Sequence, residues 1–513
     1  MLALPRPVAA REVSEALEDL LGSGQNPALS WSDFRDSKTV LQAIYLTTGF
    51  RPLWLDERGQ PRAVAQALVA QISQVSDRAL RPGDYDVDTL TSWLAQPPGD
   101  ADQQALLEVA LSTTATRLLR HVYFGRVNPA RVGFGVDTGR KHLDLPAAVL
   151  WMARTGEVAG MLSRLDPPFP LYVRLLEVLG TYRDLAAAEP PIRIPANLPK
   201  LRPNMSDPAV AAIRARLQYL GDFNAPLPPP KREKVYDAEL VEAVKRFQLR
   251  HGLADDAVIG RGTLEAMRIP LRERVVEIEL AIERLRWLPR RTEERFIIVN
   301  IPEFRLSAFE EGHAGPVLTS NVVVGSVAEQ TETPIISADM RFVVFRPYWN
   351  VPKSIAEKEI LPKARNDPSY LARHQMEIVR GRIRQKPGLD NSLGLIKFLF
   401  PNRYHVYLHD TPSKNLFGRT RRDFSHGCIR VAKPVDLAEF VLRNENTWTR
   451  QDITHAMLEG PDNRHLELRH PIPVYLLYST AIVDRAGEVR FLEDIYGHDV
   501  GLQKVLDKGP PYP

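Results

Sequence analysis

His405-Val406-Tyr407-Leu408-His409-Asp410 and, further on, Ser425-His426-Gly427-Cys428-Ile429-Arg430-Val431 are the two stretches on which the reading of this chain turns. Each sets a β-prone apolar run beside residues able to do chemistry. Cys428 is the only cysteine in 513 residues, which excludes an intramolecular disulfide and a Cys-rich zinc site. A thiol is only a few per cent thiolate at neutral pH, so a cysteine nucleophile needs a base or a cation nearby. Two histidines compete for that part. His426, two residues before Cys428, shares its side of an extended segment; His409 ends a strand and approaches from a neighbouring one. Sheet pairing would fix His409, which makes it the expected general base. Gly427 lets a reactant approach the backbone, and the N–H groups of Gly427 and Cys428 suit an oxyanion hole. Arg430 offers a fork to a carboxylate. A zinc site of His409, Asp410, His426 and Cys428 is the metal alternative, against which stand the single thiolate and the lack of a compact His pair; no cofactor or metal is expected.

Outward from this core, the pattern changes twice. From Arg295 the short runs Phe296-Ile297-Ile298-Val299, Val322-Val323-Val324, Phe342-Val343-Val344-Phe345 and Val474-Tyr475-Leu476-Leu477-Tyr478 are strands. Residues 354–402 interrupt them with helical and loop signals, as an insertion beside the reactive stretches and a candidate lid. Before residue 188 the apolar spacing is helical: Val13, Leu17 and Leu20, then Val64, Leu68 and Ile72, then Leu107, Leu111 and Leu118. Five prolines between Glu189 and Pro203 mark a linker. A small three-helix unit follows, with Asp207 and Asp237 as helix caps, a proline-rich loop at Pro226–Pro230, and the turns His251-Gly252-Leu253 and Val258-Ile259-Gly260. An amphipathic helix with Val275, Ile278, Ile282 and Leu285 on one side joins it to the strands.

Length alone suggests about three domains. At 44% hydrophobic, 25% charged and net charge +4, the chain has globular composition, with no case for nucleic acid and no apolar run long enough for stable membrane insertion. Pro5, Arg6 and Pro7 interrupt the apolar start Met1–Ala10 where a signal peptide needs an unbroken core.

His409, the eighteen residues that separate it from Cys428, and the Ser-His-Gly-Cys-Ile-Arg-Val around that cysteine resemble the signature of the L,D-transpeptidase catalytic domain. The unit at 205–268 resembles the three-helix peptidoglycan-binding module, and the order of parts is similar to the large Gram-negative branch of that family. The resemblance implies a multidomain α+β protein: helical scaffold 1–188, linker 189–204, peptidoglycan-binding module 205–268, connecting helix 269–292 packing on the scaffold, and β-rich catalytic domain 293–513 with its inserted lid. It implies Cys428 as the acylated nucleophile, His409 as the base, and the carbonyl of Asp410 as the group that orients the imidazole. Many relatives have Gly or Ser after the base, so the Asp410 carboxylate is a second candidate partner. His426, Gly427 and Arg430 match the motif. Ser425, Phe424, Tyr407, Trp349 and Asn350 are candidates to line the acyl-donor cleft, although an aromatic pair such as Tyr348 and Trp349 at a strand end is commonly core. The partners implied are peptidoglycan stem peptides as acyl donor and acceptor, with a wall-anchored protein as another acceptor class. A periplasmic location is expected from the same resemblance, with the signal peptide absent or trimmed in this chain, as is acylation by carbapenems. Water as acceptor, or wall binding without catalysis, are the rival readings.

Overall fold

Strand β1 (Arg295–Asn300) buries both faces, which explains why its apolar run is unbroken. Ile297 and Val299 enter the main β-domain core, while Phe296 and Ile298 pack outward onto a second cluster. The computed structural model describes residues 12–137, 139, 141–224, 233–290, 294–445 and 448–513; Met1–Ala10 and the loop Pro226–Pro230 lie outside the described residues. After β1 come β2 (Arg305–Glu310), β3 (Leu318–Gly325), β4 (Ile336–Phe345), β5 (Trp349–Asn350), β6 (Met376–Val379) and β7 (Arg382–Gln385). The chain continues through β8 (Ile396–Leu399), β9 (Leu408–His409), β10 (Asp423–Ser425), β11 (Ile429–Val431) and β12 (Arg464–Leu477). Nine of these form one sheet in the order β10-β3-β11-β9-β8-β4-β12-β1-β2, and a β2–β3 pairing closes it on itself. Closure removes most of the free edge.

The excursion between β4 and β8 has its own three-stranded sheet, β5-β7-β6, and its own small core of Val351, Ile355, Ile360 and Ile383. Its limits differ from the 354–402 read in the sequence. Trp349 and Asn350 already pair with β7, and Ile396–Leu399 has returned to the main sheet, because Ile396 and Phe398 are needed in the main core. A five-residue π-helical stretch, Ala356–Ile360, widens its first helix; such stretches are rare and cluster at functional places.

The N-terminal region is helical, packed around the helix Ala101–Phe124, which is buried on nearly all sides. The small unit has a separate core of Leu201, Val210, Ile213, Leu217, Leu240, Val244, Phe247 and Ile259. Asp237 caps its second helix by accepting the Leu240 N–H at 3.0 Å. Gln248 ties down the following turn, donating to Val258 O and accepting from Ala257 N–H.

The helix Leu271–Leu285 binds the parts together. It packs with the helix Pro170–Ala187, and both cover the outer face of β1 and a hairpin of β13 (Ala481–Val483) and β14 (Val489–Phe491). Glu283 on this helix is fully buried; it accepts the Val127 N–H at 3.2 Å and pairs with the buried Arg126 at 3.2 Å and Arg286 at 3.4 Å. Arg126 begins a segment that delivers Val127, Phe134 and Val136 into the β-domain core. There Gly135 bridges Ile336 in parallel fashion, its N–H donating to Ile335 O at 2.8 Å. Removing one partner of a buried pair leaves uncompensated charge. Glu283→Ala should therefore destabilise the protein by about 3–5 kcal/mol, read as a lower urea midpoint by circular dichroism; an unchanged midpoint would show that the two arginines find other partners.

Candidate active site

Two strands only a few residues long position the chemistry. β9 and β11 run parallel, with Ile429 opposite Leu408 and Arg430 opposite His409. β8 runs antiparallel to β9, with Lys397 opposite His409 and Phe398 opposite Leu408. Side chains alternate across a strand, so Leu408, Phe398 and Ile429, all at 0% exposure, enter the core. Lys397, His409 and Arg430 therefore stand in one row on the other face, with Tyr407 and Cys428 in the next row. Rings of Tyr407 and His409 lie edge to face at 5.8 Å.

His409 Nδ1 donates to the Asp410 carbonyl at 2.5 Å. A carbonyl can only accept, so the proton sits on Nδ1 and Nε2 carries a lone pair. Burial, reinforced by the Arg430 charge, lowers the imidazole pKa to about 4. The Asp410 carboxylate is engaged elsewhere: it accepts the Leu395 N–H at 3.0 Å and pairs with Lys414. Gly394 (φ +60°) passes so close that a Cβ there would lie 2.4 Å from that carboxyl carbon. Of the two roles open to Asp410, its carbonyl meets the imidazole. The Cys428 thiol lies 3.9 Å from the carbonyl oxygen of His405, itself a left-handed residue (φ +55°) in the turn before β9. Burial pushes the thiol pKa up, opposed by hydrogen bonding from Tyr407 and the charges of Lys397 and Arg430. At rest the thiol and imidazole are a neutral pair.

Gly427 (φ +101°) sits where L side chains rarely go, and it turns the chain between β10 and β11. That turn bears on two expectations. His426 is engaged by carboxylates: its Nε2 meets Glu359 Oε1 at 2.7 Å, with Glu329 at 3.5 Å. The Gly427 N–H is not free for an oxyanion, since it donates to Ser425 Oγ at 3.2 Å. The Cys428 N–H has no acceptor among the described residues and remains the available donor. Ser425 is 2% exposed and its hydroxyl also donates to Cys428 O at 2.5 Å, so it shapes the turn rather than facing a substrate.

Residues the sequence reading passed over hold this turn. Thr331 Oγ1 donates to Ser425 O and Thr333 Oγ1 to Gly427 O, both at 2.9 Å. Their signal was available: two threonines two apart, ending at Pro334, present both hydroxyls to one side. Glu359 and Lys397 were also missed. Trp349 packs on the core of the insertion, Asn350 pairs with Arg384, and Phe424 is half-buried beneath the Arg419 guanidinium at 5.1 Å. Among the described residues no group of three or more His, Cys, Asp or Glu is gathered as a metal would require.

Comparison with known proteins follows the same divisions. Residues 294–454 match the L,D-transpeptidase catalytic domain, 206–267 the "Putative peptidoglycan binding domain", and 39–179 the family described as "Scaffold domain". A Haemophilus influenzae protein described as "Putative L,D-transpeptidase" is 34% identical over 224 residues, which cover 40% of this chain and 44% of that protein. The chain thus spans less than half the length of this curated relative. Two solved structures share little sequence and superpose poorly. An L,D-transpeptidase from Xylanimonas cellulosilytica is 16% identical, with 55% of this chain and all of that one covered and a TM-score of 0.17. A fused Zn-dependent amidase/peptidase/peptidoglycan-binding domain-containing protein from Clostridium acetobutylicum is 12% identical, with the same coverage and a TM-score of 0.15. With the Cys428 motif inside the matched span, the chain carries an L,D-transpeptidase catalytic domain joined to a peptidoglycan-binding domain and a helical scaffold domain.

Proposed function

We propose that the chain forms 3-3 peptidoglycan crosslinks by two-step acyl transfer through a Cys428 thioester. The observation that carries this reading is the row-by-row placement of Cys428 and His409 on one face of adjacent parallel strands, with the free lone pair of the base on Nε2. Cys428 Sγ attacks the carbonyl of the third residue of a tetrapeptide stem while Nε2 takes the thiol proton. The C–N bond breaks, Nε2 returns the proton to the departing D-alanine amine, and a thioester remains. The Cys428 N–H supports the developing oxyanion. The amine of a second stem then attacks; His409 accepts its proton and gives it back to the sulfur as the C–S bond breaks. The peptidoglycan-binding module supplies the wall affinity, in the periplasm where stems are found.

The insertion serves as the lid. Its Glu359 reaches the turn that bears the nucleophile, through His426, and a closed cover would favour amine over bulk water at the thioester.

Mass spectrometry of the products formed from disaccharide tetrapeptide tests the reading directly: a crosslinked dimer is expected, and tripeptide alone would make the protein a carboxypeptidase. Cys428→Ala should abolish both products with the fold retained. Because the base is competent only when neutral and its pKa is lowered to about 4, acylation should persist below pH 6 and fall only as the pH approaches 4. A midpoint near 6.5 in kcat/KM would show that His409 is not held this way. For the lid, Glu359→Ala should raise the ratio of tripeptide to dimer severalfold at unchanged acylation rate, and an unaltered ratio removes the latch. Deleting residues 205–268 should weaken sedimentation with sacculi more than turnover of a soluble stem; equal losses would make the module a spacer.

A further inference from the structure

Two cations share the nucleophile's face without an ion-pair partner among the described residues. Lys397 stands on β8 opposite His409, and Arg430 stands on β11 on the other side of the same histidine. Neighbouring strands lie about 4.8 Å apart, so three basic groups form one row roughly 10 Å wide. Among the described residues, neither Lys397 nor Arg430 has a hydrogen-bond acceptor or a carboxylate at ion-pair distance, whereas most arginines of this protein do; Arg126, Arg214, Arg250 and Arg284 are examples. The acidic groups nearby are committed. Asp410 is taken by Lys414 and the Leu395 N–H, and Glu329, whose charge reaches Arg430, lies beside His426. Lys397 Nζ lies 5.8 Å over the Tyr407 ring, which points its amine along the face toward Cys428 rather than out to solvent. Burial lowers the pKa of both cations, and the Cys428 sulfur is the group whose charge each of them feels.

Half-buried cations without partners carry a desolvation cost that a ligand anion can offset. An acyl-donor stem brings two carboxylates near its scissile bond: the C-terminal one of the departing residue, and the one on the side chain of a diamino acid at the third position. We propose that Lys397 and Arg430 form a subsite that takes a carboxylate of the acyl donor, Lys397 being the member that sets the requirement for that charge. This rests on the transpeptidase reading above. It gives Lys397 a substrate-binding role in addition to the favourable field it lends the thiolate.

The two roles separate experimentally. With the full chain, KM and kcat for release of the C-terminal residue are measured on three soluble tetrapeptides: unmodified, amidated at the C-terminus, and amidated at the third-residue side chain. Wild type should lose about tenfold or more in KM on one amidated donor, the scale of a charged hydrogen bond. Lys397→Met should lose as much on the unmodified donor and nothing further on that amidated one, the mark of a shared interaction. Lys397→Arg should restore most of the loss. A loss indifferent to donor charge overturns the subsite and makes Lys397 a partner of the thiolate. Wild type that turns over all three donors equally also overturns it. Failure of wild type to release the C-terminal residue from any donor would instead strike down the transpeptidase reading, and the subsite with it.

Discussion

Everything reactive in this protein depends on the parallel pairing of β9 with β11, a ladder of only two register pairs. What holds so short a ladder is not its hydrogen bonds but the two residues between the reactive ones. Leu408 and Ile429 face the core at 0% exposure, next to Phe398 of β8. Side chains alternate strictly, so a slip of one residue would drive His409 into hydrocarbon and expose Leu408. The apolar residues fix the register, and the register fixes His409 relative to Cys428. The turn before β11 then needs a left-handed glycine to bring the sulfur to that face, with two threonine hydroxyls to keep the turn from relaxing.

Electrostatics on this face are arranged for a neutral resting state. Burial opposes charge on both His409 and Cys428, and the flanking cations act on them in opposite senses, against imidazolium and in favour of thiolate. The Asp410 carbonyl sets the tautomer without adding a full charge, and its carboxylate is kept away by Lys414 and by the close passage of Gly394.

Much of this could be read from residues alone, and the division is physical. Periodicity reports burial, so the strand runs from Phe296 onward and the Leu and Val faces of the small helical unit were legible. Cys428 and His409 stood out in the sequence as a candidate pair because their residue types have few other uses together. The Gly427 N–H was read as an oxyanion donor from its missing side chain alone, and its partner Ser425 Oγ lies two residues back, across a turn that one positive φ creates. The limits of the insertion were misplaced because Ile396-Lys397-Phe398 looks no different from its neighbours until its pairing with β4 is known. Lys397 went unnoticed for the same reason: its meaning lies in what stands opposite, and cross-strand partners are not written in linear order.

The bridge between Gly135 and Ile336 changes what the helical region is. A bare glycine is required there, since a Cβ would lie 2.8 Å from the Ile336 side chain and 3.2 Å from the Tyr404 ring. Through that point, and through Val127, Phe134 and Val136, the helical region supplies part of the hydrophobic interior of the β-domain. The boundary of the folding unit therefore does not coincide with the boundary of the matched catalytic domain. A fragment cut at the first catalytic strand would carry every reacting atom and still leave apolar surface and an unpaired stretch of β4 open to other copies of itself, so that what it gained in brevity it would lose to aggregation.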